Sequence, residues 1–165
     1  MYILRKILFL LLLSLFSVKL YSSTATATID TDADIKLLVS VKETVGTSVD
    51  FGIIYVEANT SGTVTLSPSG SITATGNIQL GGGHKVAEFN FSGDSGSTVN
   101  ITLQSTPLQK VNGIGSLNAS YLSSVTSLAL DDSGAGVARV GGSLTISPNT
   151  AIGLYSGNLT LTANY

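Results

Sequence analysis

Apolar and polar residues alternate along almost the whole chain, and this period of two dictates what it can fold into. The closing stretch shows it best. From Tyr155 to Tyr165 the odd positions Tyr155, Gly157, Leu159, Leu161, Ala163 and Tyr165 are apolar or glycine, and the even positions Ser156 to Asn164 are polar. The same rhythm aligns Ile35, Leu37, Val39 and Val41; Val64 and Leu66; Ile72 and Ala74; Ala87, Phe89 and Phe91; Val99, Ile101 and Leu103; Leu117, Ala119 and Tyr121; and Leu144 and Ile146. Strict alternation means strands with one face in a core and one in water. Leu128 and Leu130 suggest a further short strand. Outside the first residues no stretch sustains a helical period.

Turn residues punctuate the strands. They are Ser67 to Gly70, Gly81 to Gly83, Gly93 to Gly96, the glycines of the stretch GAG, and Gly141-Gly142. Strands repeating about every ten residues between such turns predict an all-β, antiparallel sandwich or barrel. One internal likeness stands out: Gly62 to Gly70 and Gly142 to Thr150 share the order Gly, hydroxyl, apolar, Thr, apolar, Ser, Pro. Both read as a strand ending in a proline turn.

The first residues give the address. Arg5 and Lys6 precede the apolar run Ile7 to Phe16, and small residues follow. This is the pattern of a secretory signal helix, here residues 1–23, with cleavage expected between Ser22 and Ala27. The run is too short for a stable bilayer span, so no membrane insertion of the mature chain is expected. Residues 24–34 then form an extended segment, an edge strand or a strand donated to a neighbour, and 35–165 a single domain. The protein is expected to be secreted, to the periplasm or the cell surface.

Charge excludes one class of partner. Removing Arg5, Lys6 and Lys19 leaves five of the eight basic residues against ten acidic ones. Five scattered cations make no basic face, so no nucleic-acid partner is expected. The chain has no cysteine, which rules out disulfide staples and thiolate metal sites.

Chemistry-bearing motifs are few. His84 is the only histidine, beside the Gly81 to Gly83 run, and is expected on a solvated loop tip. Alone it assembles neither a common zinc site nor a catalytic triad. No catalytic residue, no cofactor and no enzyme activity are expected. Asp30, Asp32 and Asp34 fall on one face of an extended strand, about 7 Å apart. They are the calcium candidates, with Asp131-Asp132 of another loop as further carboxylates, and an EF-hand spacing fails because its sixth and twelfth positions hold Ile35 and Val41. A charged, aggregation-resistant edge is the other reading.

Several longer stretches carry a family likeness. The segment Ser48 to Gly83, the strands from Ala87 to Leu103 and the ending from Gly141 resemble a family of secreted bacterial β-proteins known as domain of unknown function 4402. Phe51-Gly52, the Gly-x-Val-Thr-Leu strand at Gly62, and the last strand with Gly153, Tyr155, Gly157 and Tyr165 carry the resemblance. The ending also looks like subunits of chaperone–usher pili and of the spore-coat U type of secreted pilus. That likeness implies an all-β, immunoglobulin-like and pilin-like sandwich of the Greek-key type, and assembly by β-strand addition with the protein itself or a periplasmic chaperone as partner. The candidate assembly residues are Ala25, Ala27 and Ile29 in the first segment and Leu159, Leu161 and Tyr165 in the last.

A non-catalytic structural or adhesive surface protein, fimbrial-subunit-like, is therefore expected. The alternatives are a lectin-like module, for which Tyr121, Tyr155 and the aspartates are the only material, and a small outer-membrane barrel. A barrel would also end on an alternating strand with a terminal aromatic. Against it stand strands of five or six residues and a mature chain with three Phe, four Tyr and no Trp.

Overall fold

A computed structural model describes residues 24–36 and 48–164. Residues 1–23, where the signal helix is expected, 37–47, with Leu37, Val39 and Val41, and Tyr165 lie outside the described residues. Within them every regular element is a strand: β1 Thr24–Lys36, β2 Asp50–Val56, β3 Gly62–Leu66, β4 Ile72–Ala74, β5 Ile78–Gly82, β6 Ala87–Ser92, β7 Thr98–Ser105, β8 Leu108–Lys110, β9 Ser116–Ser123, β10 Ser127–Ala129, β11 Ala135–Ile146 and β12 Gly153–Asn164.

The strands form a sandwich built around two long members. In one sheet β12 is central. β1 lies antiparallel along one side of it from Asn164 to Gly153, while β7 and β8 share the other side. Beyond β1 come β2 and β5, and β10 flanks β7. In the other sheet β11 is central. β9 takes one side of its second half; β6 and β3 follow one another along the opposite side. β9 belongs to both sheets, pairing β8 at Ser116 and Leu117 and β11 from Asn118 onward. The strand order runs from β4 to β5 without joining them, so the sheets do not close into a barrel. Every pair is antiparallel except β1 with β2.

The expected inward faces meet in one core. Val64, Leu66, Ala87, Phe89, Val140, Leu144 and Ile146 come from one sheet; Ile54, Val99, Ile101, Tyr155, Leu159 and Leu161 come from the other. The two look-alike stretches turn out to be partners: Gly62 to Leu66 pairs with Ile146 to Gly142. Both end in the expected turn, closed by Gly70 N–H donating to Ser67 O at 2.8 Å and Thr150 N–H donating to Ser147 O at 3.1 Å.

Two readings of glycine as punctuation, and one of His84, are corrected. Gly141 and Gly142 are not a turn but the middle of β11. A Cβ on Gly141 would stand 2.1 Å from Leu66 O, and one on Gly142 2.5 Å from Ser120 O, so both neighbouring backbones approach too closely for any side chain. Gly81 and Gly82 belong to β5 rather than to a hairpin tip. His84, which follows them, is half-buried rather than solvated on a loop tip, because the next residue, Lys85, is bridged to Asp50 by backbone hydrogen bonds of 2.8 and 2.9 Å.

The turn after β10 is held by a carboxylate. Asp131 Oδ1 accepts from Ser133 N–H at 2.8 Å, Ser133 Oγ–H at 2.6 Å and Ala135 N–H at 2.9 Å. The Ser133 hydroxyl, then the Ala135 and Ser133 amides, hold this carboxyl below its usual range. A group depressed on folding stabilises above its unfolded pKa, about 3.9 for Asp, and that stabilisation is lost as pH falls through the lower folded value. In an acid titration followed by NMR, the Ser133 and Ala135 amides should therefore hold their positions below pH 3.9 before moving. Asp131→Asn should abolish that inflection.

The candidate assembly site: the seat of the first strand

β1 occupies a slot that the rest of the sandwich leaves between β12 and β2. Its alternation explains the fit. Ala25, Ala27, Ile29, Thr31 and Ala33 fall opposite Ala163, Leu161, Leu159, Gly157 and Tyr155, so apolar positions on both strands share the inward face. Leu159, Leu161 and Tyr155 are at most 2% exposed. On the outward face threonine faces threonine. Thr28 pairs with Thr160, their hydroxyls 3.5 Å apart, and Thr26 pairs with Thr162. Such cross-strand pairs stabilise a sheet modestly, by about 0.2–1 kcal/mol each.

The slot is covered unevenly. β2 pairs with β1 only from Asp32 to Lys36. From Thr24 to Thr31 the outer side of β1 has no strand partner among the described residues. β1 is thus an interior strand in its second half and an edge in its first, where Ala27 stays exposed.

One inward position is polar. Thr31 is fully buried, and its side chain faces Tyr121 of β9 across the core. The two hydroxyls lie near enough to interact, yet neither meets the geometry of a full hydrogen bond among the described residues. Burial pushes the Tyr121 phenol up, and the nearby Thr31 hydroxyl opposes that rise without cancelling it. A buried hydroxyl without a partner costs about 1–3 kcal/mol. Apart from Ile29, the described inward side chains of β1 are small, and one of them is a poorly satisfied hydroxyl. Alternation alone did not reveal this, because Thr31 occupies an apolar position in the pattern and its partner lies on the opposite sheet.

The remaining candidates are placed as follows. Asp30, Asp32 and Asp34 sit at alternate positions of β1, in register with Asn158, Ser156 and Leu154 of β12; their side chains lie outside the described residues. Asp131 belongs to the turn at the end of the sandwich where β1 begins, far along the strand from Asp34. Among the described residues no three His, Cys, Asp or Glu side chains gather closely enough to hold a metal ion. Tyr155 is buried with its hydroxyl donating to Ala151 O, and Tyr121 packs against the core, so neither ring forms an exposed sugar platform. The Tyr165 position lies outside the described residues.

No curated protein and no solved structure matches the chain. The motifs at Phe51-Gly52, along β3 and along β12, which here pair into one sandwich, are covered by a family model matching residues 39–165, and the chain belongs to that family, Domain of unknown function (DUF4402).

Proposed function

We propose that the protein is a non-catalytic structural component of a bacterial surface, exported and fimbrial-subunit-like, that joins neighbours by passing β1 from one copy to the next. The observation that carries this is the position of β1. It fills the slot between β12 and β2, yet it precedes residue 39, where the family match begins.

Three features support the reading. β1 pairs with β12 through twelve consecutive residues, so main-chain hydrogen bonds alone give a donated strand affinity. The parallel pairing with β2 requires a crossover, and residues 37–49 supply enough chain to reach either the same molecule or an adjacent one. The unsatisfied Thr31 hydroxyl and the small residues around it keep the seat from holding its own strand too tightly. A periplasmic chaperone presenting a similar strand would use the same slot before assembly.

Size-exclusion chromatography of the mature chain, alone and with a labelled Thr24-to-Asp34 peptide, tests the proposal. The peptide should enter the seat and break up assemblies. A Thr31→Val version of the peptide should bind more tightly, by about fivefold for the roughly 1 kcal/mol regained when the buried hydroxyl is removed. In the full chain the same substitution should raise the urea midpoint. A monomer that ignores both peptides would sink the strand-exchange reading.

A further inference from the structure

Sheets protect their margins, and most margins here are protected. β4 and β10 are three residues long. β5 ends in Gly81 and Gly82, the latter at φ +91°, and its pairing with β2 is broken by a bulge. Short strands and bulges discourage further pairing. Two margins without such a guard meet at one corner: the first half of β1, and β6, which pairs with β11 on one side and with no strand on the other among the described residues. These two margins face one another across the same corner of the sandwich. Between them lies a cleft of about 210 Å³, lined by Ala27, Phe89, Phe91, Val99, Leu161 and Ala163.

We infer that this cleft is closed by a second copy of the chain, its β6 pairing antiparallel with the first copy's β6 about a two-fold axis at Asn90. The strand's own sequence selects that occupant and that register. Around Asn90, Phe89 of one copy falls opposite Phe91 of the other, twice, on the inward face. Glu88 falls opposite Ser92, so no like charges meet. Inward residues stay inward, as the two-residue period requires. Phe91, only half-buried in one copy, then covers the partner's cleft beside Ala27 and Leu161. Aromatic pairs of this kind add about 0.5–1.5 kcal/mol beyond the area they bury.

The one charge on the strand is already answered. Glu88 Oε2 accepts from Arg139 Nε–H at 2.9 Å on the neighbouring β11, so it does not guard the edge as a bare charge would. The free half of β1 is the weaker self-partner, because its described inward residues, Ala27 and Ile29, supply less apolar area than two phenylalanines. The strand pairing itself runs along β6, and β1 only walls the cleft it closes, so the contact stands whether that wall is the chain's own β1 or a donated one.

A chain without cysteine makes the test clean. Opposed residues of an antiparallel pair have Cα atoms about 4.5–5.5 Å apart, within disulfide range. In the mature chain Asn90→Cys, an exposed site on the proposed axis, should give disulfide dimer under diamide at least tenfold faster than Gln109→Cys, another exposed position, on β8. Phe91→Lys, which places a charge in the cleft, should abolish the dimer seen by sedimentation velocity while leaving the far-ultraviolet spectrum unchanged. The Thr24-to-Asp34 peptide should leave the Asn90 crosslink intact, separating this contact from strand exchange. Equal crosslinking at positions 90 and 109 would overturn the inference, whatever Phe91→Lys does to folding.

Discussion

Gly141→Val is expected to yield no folded protein. The position lies where β11 passes from β6 to β3 along one side. A Cβ there would stand 2.1 Å from Leu66 O, 2.8 Å from Ser67 C and 2.9 Å from Pro68 N, all backbone atoms. No rotamer relieves a clash with backbone; β3 must leave β11. That strand carries Val64 and Leu66, both at most 1% exposed, so unpairing it opens the core. The cost is expected to match the whole stability of a domain this size, about 5–15 kcal/mol. Circular dichroism and urea unfolding of Gly141→Ala and Gly141→Val check this. A cooperative transition for the valine variant at the wild-type midpoint would show that the close approach is not needed.

Tyr155→Ala should cost about 3–5 kcal/mol, the range for removing a buried aromatic and leaving its cavity. Tyr155 is fully buried near the start of β12, opposite Ala33 of β1 and Lys110 of β8. Its ring thus supports both neighbours of the central strand, and its hydroxyl ties β12 to Ala151 in the preceding loop. Tyr155→Phe keeps the ring and loses that hydrogen bond, so it should cost about 1 kcal/mol. Urea midpoints of the two variants separate packing from hydrogen bonding. Near-equal losses would mean that the hydroxyl, and not the ring, holds this end of the sandwich.

The strands at Val64, Phe89, Ile101, Leu117 and Leu128 were legible because each buries one face, and one buried face writes itself as alternation. β2 was not. Its run from Asp50 to Val56 is interrupted at Gly52, whose φ of +73° lets Gly82 O approach to within 2.4 Å of where a side chain would begin. That close approach, followed by a bulge, breaks the two-residue rhythm. The first half of β11 was missed for the related reason that its glycines look like turns when read in isolation. The candidate strands of the assembly seat were legible individually, at Ala27, Ile29, Leu159 and Leu161. That they pair residue by residue was not, because their partners are more than a hundred positions apart.

Period two and the absence of cysteine were enough to settle that this is a layered all-β protein whose inward residues can be named one by one. Which strands become neighbours depended on closing one core from distant segments, where the twist of two sheets and close backbone contacts choose among pairings that share the same pattern. The slot that β1 fills, the lone hydroxyl buried in it and the open margin of β6 exist only once that choice is made.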